Sequence, residues 1–390
     1  MKRVLYTGAF RLPDGDAAAW RVRGVARLLR RSGAELTFAG WESAGEQATY
    51  VMDGDVCHPQ GEFRESKIGP FRRLWGFVTR GEKTLEWIRQ QPPFQAIVVY
   101  NPPALFAWRL LRECRRSGCR LIVDSTEWYQ GSHLPGGRFG LASLENWVRM
   151  RLVYPRFENV ICISRFLANH FRGRNVVNIP PLKDERTATP AGSDTRPDIR
   201  REVRFVYAGQ AGRKDLLAPF IDALPGLSRS LGRPVRLRIA GMTRPELVDV
   251  LRDNGVGVDA LDEHVECLGR RPRDEVMQLY RDSHFSVIFR ENQRYAIAGF
   301  PTKAVESWSQ GCPIICNPVG DLGSLAEPMV DAILVDKSSI GEPLARALRD
   351  IIDAGTHPVL SVHSREKAAR LFSAEAHSET FANFIGKAMQ

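Results

Sequence analysis

The densest run of residues able to do chemistry is Phe289 to Asp321, FRENQRYAIAGFPTKAVESWSQGCPIICNPVGD. A hydrophobic strand ending near Phe289 leads into a loop holding Arg290, Glu291 and Gly299. Phe300 and Pro301 then precede a predicted helix from about Thr302 to Gln310. Proline at a first helical turn sacrifices no helix bond, because its missing N–H would have no partner there. The N–H groups exposed at such a helix start, together with Thr302 and Lys303, form a cradle for a diphosphate. Glu306 falls one turn further on, on the face of Thr302, where a carboxylate can accept hydrogen bonds from ribose hydroxyls. A second cluster, Gly209, Gln210, Ala211, Gly212, Arg213, Lys214 and Asp215, follows another strand. Its small residues let a ligand approach the backbone, and its adjacent cations can offset diphosphate charge without a metal. A solvated basic turn is the competing reading of this cluster.

Asp124 and Glu127 follow the hydrophobic run Leu121 to Val123, so they are expected at the C-terminal end of a strand. A carboxylate in that position can orient an acceptor hydroxyl or take up its proton, for which Thr126 between them has no suitable pKa. The alternative is structural, with Asp124 capping the following turn and Glu127 paired with a surface arginine. Asp14-Gly-Asp16 and Asp53-Gly-Asp55 match a D-x-D pattern that can hold a divalent cation. The first is read as a cap for the following helix and the second as a turn. His133 in GSHLPGG is a lone loop histidine.

These residues need strands and helices to place them. Arg3 to Tyr6 is strand-like, Val22, Val25, Leu28 and Leu29 recur at helical spacing with Gly33 as a stop, and Leu36 to Ala39 resumes a strand. Strands are expected again at Ala96–Tyr100, Arg120–Asp124 and Val160–Ile163. Lys183 to Glu202 loses its apolar residues and reads as a linker. Five more strands follow, at Val203–Ala208, Val235–Ala240, His264–Leu268, Phe285–Phe289 and Pro313–Cys316. This alternation is that of two α/β domains, 1–188 and 189–373. Both phosphate-type clusters then lie at the C-terminal ends of strands in one sheet, where open α/β domains bind ligands. The G-x-G-x-x-G fingerprint of dinucleotide enzymes follows neither domain's first strand.

Charge is unevenly distributed along the 390 residues. Residues 1–188 hold 29 Lys and Arg against 18 Asp and Glu, a net +11, so the remainder carries −1 of the total +10. A basic surface of this kind favours an anionic partner such as a membrane, a lipid phosphate or nucleic acid, with an arginine-rich solvated surface as the competing reading. Nucleic acid is disfavoured because no aromatic-rich binding motif accompanies the arginines. No apolar run approaches the ~20 residues of a membrane span, and Met1–Tyr6 has no signal-peptide pattern. The expected location is therefore cytoplasmic, with peripheral contact at the inner face of the cell membrane. The seven cysteines lack metal or redox spacing and read as reduced thiols.

The ordered set of motifs resembles retaining glycosyltransferases of family 4 with the GT-B fold, in particular the branch of bacterial capsule, exopolysaccharide or lipopolysaccharide assembly. The matching residues are Arg290-Glu291, Gly299-Phe300-Pro301-Thr302-Lys303, Val305-Glu306-Ser307 and Gly311-Cys312-Pro313. Ile163-Ser164-Arg165, Ile179-Pro180-Pro181 and Asp124 to Tyr129 add support. The resemblance implies two Rossmann-like doubly wound domains facing across a cleft, with a last helix near 374–390 returning to the first domain. It places Arg213 and Lys214 at the donor diphosphate and Glu306 at the ribose, with the loop of Gly8 and Gly15-Asp16 approaching the donor from the acceptor domain. It further implies a nucleotide-sugar co-substrate, no bound cofactor or metal, and a lipid-linked or surface-polysaccharide acceptor. Two positions depart from the family. The carboxylate partner of Glu306 falls on Ala298, and the strand-end histidine of many relatives aligns with Thr126. These departures motivate a second reading, a catalytically weak homologue serving as a partner or regulatory subunit.

Overall fold

The computed structural model describes residues 2–13, 15–43, 49–62, 79–187, 196–212, 214–258 and 261–390. Asp14 and Arg213 lie outside them. The chain divides into two units, 1–182 with 374–390 and 183–373, so the division falls at Lys183 rather than after 188.

The first unit is built on eight strands: β1 Lys2–Gly8, β2 Ala34–Gly40, β3 Tyr50–Met52, β4 Asp55–Cys57, β5 Ala96–Tyr100, β6 Arg120–Ser125, β7 Asn159–Cys162 and β8 Asn175–Asn178. Their order is β3-β4-β2-β1-β5-β6-β7-β8, and every pair is parallel except β3 with β4. That pair is a hairpin whose two-residue turn is Asp53-Gly54, both at positive φ (51° and 87°). Asp-Gly is favoured there because the turn matches the strand twist only in the left-handed region. This makes Asp53 a turn residue and Asp55 the first residue of β4, paired with Arg23 and Arg30 respectively.

Asp16 caps the helix Ala17–Arg31 by accepting the Ala19 N–H at 2.8 Å. The helix buries Val22, Val25, Leu28 and Leu29 on the sheet, and Arg30 and Arg31 sit in its last turn where the dipole favours cations. The terminal helix Ala374–Ala388 belongs to this unit. Its Phe381, Phe384 and Ile385 join the core around Val4, Tyr6, Leu28 and Phe38. At Gly8 (φ 132°) a Cβ would stand 2.5 Å from the Tyr100 carbonyl oxygen, so β1 and β5 close together only over glycine.

The second unit has six parallel strands: β9 Val203–Ala208, β10 Val235–Ala240, β11 Val265–Gly269, β12 Phe285–Ile288, β13 Ile314–Cys316 and β14 Ala332–Leu334. The order is β11-β10-β9-β12-β13-β14, the doubly wound 3-2-1-4-5-6 arrangement whose direction reverses between β9 and β12. Phe205, Phe220, Leu224, Leu237, Phe285 and Leu344 are in the core that fixes this sheet. The described cysteines are free thiols, most of them buried. No helix among the described residues is long and apolar enough to cross a membrane.

Candidate functional site

The reversal between β9 and β12 brings together Asp215, Arg290 and Lys303 of the second unit. β9 ends at Ala208 and turns through Gly209, whose φ is 138°. A Cβ on Gly209 would lie 2.7 Å from Lys303 Cε, so glycine here makes room for the lysine to cross the strand end. Lys303 issues from the first turn of the helix Thr302–Ser309, which follows Pro301. Its ammonium stands 4.1 Å from the centre of the Tyr207 ring, donates to the Tyr207 hydroxyl at 2.9 Å and pairs with the Asp215 carboxylate.

Arg290, two residues past the end of β12, donates from Nε to the other oxygen of Asp215 at 2.9 Å. Its backbone is held on both sides by Asn317, which accepts the Arg290 N–H at 2.9 Å and donates to the Arg290 carbonyl at 2.7 Å. Asp215 is thus a buried anion between two cations. Burial raises its pKa, but Lys303 and Arg290 outweigh that and hold it at about 2. The Tyr207 phenol, which donates to Asp215 at 3.1 Å, is pushed upward by burial and then by that carboxylate. Burial lowers the Lys303 pKa against the opposing pull of Asp215.

This arrangement can bind a polyanion. Two cations already desolvated at a strand-end crevice are positioned by one carboxylate, and the net charge of the three is positive. Lys214 adds an exposed cation beside them, and its carbonyl accepts from the Tyr295 hydroxyl at 3.3 Å. Gly299 precedes the helix start, while the buried Phe300 ring packs edge-on against Phe372 at 5.7 Å. Phe300 therefore contributes packing, and Thr302 is half-buried at the first helical position.

Two site carboxylates have cationic partners. Glu306 accepts from Arg273 Nη1 at 2.7 Å, and Glu291 pairs with Lys337. A ribose reaching Glu306 would share it with Arg273. Sequence reasoning missed Asp215 as the organising anion, and missed Arg273, Asn317 and Tyr207 altogether; only the cation-rich Arg270-Arg271-Pro272-Arg273 run was visible. Ala298, the position at which the motif resemblance implies a second carboxylate, is fully buried.

In the first unit the expectation for Asp124 needs correction. Its carboxylate is fully buried and engaged by Arg21, with Nη2 at 2.9 Å and Nε at 3.2 and 3.3 Å, and by the Tyr6 hydroxyl at 2.6 Å. Arg21 also donates to the carbonyls of Ile179 and Pro180, at 2.5 and 3.1 Å. Asp124 thus fastens β6 to the helix Ala17–Arg31 and to the Ile179-Pro180 segment, and does not present an open base. The physical reason is that a carboxylate at a central strand end, when desolvated, takes the nearest buried cation.

Thr126 is locked differently. Its N–H donates to Asn101 Oδ1 at 2.9 Å, and its hydroxyl is bonded to Asn101 Nδ2 and, at 3.2 Å, to Tyr100. Glu127 is half-buried just beyond, and after burial its charge is the largest influence raising the Tyr100 phenol. It also supports the charge of the buried Arg149. Asp16 is occupied as a helix cap, and Gly15 is an exposed turn residue before it. His133 lies in a short 3-10 turn, Gly131–His133. Among the described residues no group of three or more His, Cys, Asp or Glu side chains converges as metal ligands would.

Residues 202–354 match the family described as Glycosyl transferases group 1, and residues 16–181 match that described as Glycosyl transferase 4-like domain. The fold is similar to sucrose-phosphate synthase from Thermosynechococcus elongatus, with 15% identity over 99% of this chain and 98% of that one and a TM-score of 0.74. HepE from Anabaena, solved in complex with UDP, is 14% identical over 99% of this chain and 100% of its own, with a TM-score of 0.66. The catalytic domain of starch synthase IV from Arabidopsis thaliana, bound to ADP and acarbose, is 11% identical over 100% and 99%, also with a TM-score of 0.66. No curated protein sequence matches the chain.

Proposed function

We propose that this chain, a glycosyltransferase of the GT-B fold, takes a nucleotide-sugar as donor and transfers the sugar with retention of configuration, without a metal. The observation that carries the reading is the Lys303–Asp215–Arg290 group at the reversal point of the second sheet. A leaving diphosphate gains negative charge as the glycosidic bond breaks, and preset cations stabilise it without reorganising. The bound UDP of HepE and the ADP of starch synthase IV support a nucleoside diphosphate as the leaving group. In this reading Lys303, Arg290 and Lys214 hold the diphosphate, the Thr302 helix start adds its N–H groups, and Glu306 receives the ribose. An acceptor hydroxyl attacks from the face that the diphosphate leaves. The acceptor is a lipid-linked or surface-polysaccharide glycan of the bacterial envelope kind, supported by the +11 charge of residues 1–188 and by the motif resemblance.

The test is hydrolysis and transfer with a panel of UDP-, GDP-, dTDP- and ADP-sugars, with the anomeric configuration of the product read by NMR. One nucleotide series is expected to turn over with retained configuration, and inverted product would overturn the mechanism. Turnover is also expected to survive excess EDTA, because the diphosphate charge is met by side chains; strict dependence on added Mn²⁺ or Mg²⁺ would return the D-x-D triplets to consideration.

The two lysines are expected to differ. Charge-assisted bonds to a buried group are worth roughly 1.5–3 kcal/mol, so Lys303→Ala should weaken binding of the matching nucleoside diphosphate by about ten- to a hundred-fold. Arg290 still neutralises Asp215 in that variant, so the fold is kept. Lys214 is exposed and screened by salt, so Lys214→Ala should cost about tenfold at most. Calorimetry showing unchanged affinity in both variants would remove this site assignment.

A further inference from the structure

The helix Leu141–Val148 in the first unit has its polarity reversed. Its buried positions are the polar Ser143 and Asn146, whereas Leu141, Leu144 and Trp147 face water. The polar pair anchors the helix: the Ser143 hydroxyl lies against the Gly131 and Gly137 carbonyls, and Asn146 Nδ2 donates to the Tyr129 carbonyl at 2.9 Å. Just before it Phe139 is 96% exposed, and just after it Leu152 is exposed. Five of the twelve exposed large apolar side chains of the described residues therefore fall within Phe139–Leu152, and they include its aromatic Phe and Trp. Single exposed apolar residues need no explanation, but a contiguous cluster marks an interaction surface.

The charge around this cluster selects the partner. Between 130 and 157 the sequence carries Arg138, Arg149, Arg151 and Arg156 against Glu145, a net +3. Glu145 is directed inward, accepting the Ala104 N–H at 2.9 Å, whereas Arg138, Arg151 and Arg156 are exposed. Arg156 lies over the exposed Trp108 at 5.3 Å, and the helix Ala104–Ser117 adds exposed Arg112, Arg115 and Arg116. Apolar and aromatic side chains rimmed by arginines match the acyl and headgroup layers of an anionic bilayer. A soluble partner would have to supply both an apolar socket and an acidic rim.

We propose that Phe139, Leu141, Leu144, Trp147 and Leu152 form a wedge that inserts into the interfacial layer of an anionic membrane, with the neighbouring arginines on lipid phosphates. This rests on the membrane-acceptor reading and names the surface that would carry it out. The test is co-sedimentation of the full chain with phosphatidylcholine vesicles, with and without phosphatidylglycerol, for the wild type and for Phe139→Ser/Leu144→Ser, alongside thermal melting. The wild type is expected to bind the anionic vesicles. The double variant should melt unchanged yet bind on the order of tenfold more weakly or worse, because two inserting side chains are lost. Bromine-labelled lipid should quench tryptophan fluorescence in the wild type and measurably less in Trp147→Phe.

Wild type that binds no vesicle would overturn the membrane reading itself. Equal binding by wild type and double variant would overturn the wedge alone and leave attraction by charge. Self-association of the wild type that the variant loses, without any difference on vesicles, would assign the surface to a second copy and overturn the wedge.

Discussion

Asp124→Asn is expected to lower stability by about 3–5 kcal/mol, the range for removing one partner of a buried ion pair. Asp124 is fully buried and the Arg21 side chain is only 3% exposed, so neither charge can turn to water when the other is lost. Burial works against the Arg21 charge and Asp124 supports it. In the variant the guanidinium would lose its carboxylate partner and keep neutral acceptors such as the Ile179 and Pro180 carbonyls. For a domain of this size the loss corresponds to a fall in Tm of roughly 6–20 °C. Because the damage is an unpaired buried charge, Arg21→Met in the same chain should restore part of it, an effect that thermal melting of both single variants and the double variant measures. Wild-type melting of Asp124→Asn together with a collapse of transfer would instead make this carboxylate catalytic.

The same pair shows what could be read in the residues and what could not. A carboxylate following Leu121–Val123 was placed correctly at a strand end, because a short apolar run bounded by polar residues has few other interpretations. Its partner lies 103 positions away on a helix whose arginines look alike in sequence. Apolar strands of five or six residues, Ala96–Tyr100, Val203–Ala208 and Val235–Ala240, were legible to the residue. β3, β4, β8 and β14 were missed, since three or four residues carry too little alternation to stand out. The donor-type site divides in the same manner. Glycines, a helix-start proline and clustered cations announce an anion cradle locally, but the closing of Lys303 and Arg290 onto Asp215 spans 88 and 75 positions and is a product of strand order. The reversed helix at Leu141–Val148 left no trace in its composition, because which face is covered depends on the Tyr129–Gly137 segment lying beneath it.

With Asp124 committed to Arg21, Glu127 is the remaining carboxylate of the β6 end for which a role in transfer is proposed. It is half-buried, its charge raises the Tyr100 phenol, and the hydroxyl of Thr126 beside it is bonded to Asn101 and Tyr100. Thr126 is therefore no substitute for the histidine that the motif resemblance implies there, whereas a carboxylate can accept a proton or a hydrogen bond from an acceptor hydroxyl. Glu127→Gln keeps the size and shape of the side chain and one acceptor oxygen, and removes its charge and basicity. It is expected to leave folding and nucleotide affinity unchanged, since the cations proposed to hold the diphosphate belong to the second unit. Transfer should fall by on the order of 10²-fold or more, the range for a positioned acid or base. Glu127 also supports Arg149, so a purely structural role would show itself as a lowered melting temperature with a matching loss in both measurements. Near-normal transfer in a stably folded Glu127→Gln would remove Glu127 from the chemistry and leave stabilisation of the departing diphosphate by Lys303 and Arg290 as the main source of catalysis.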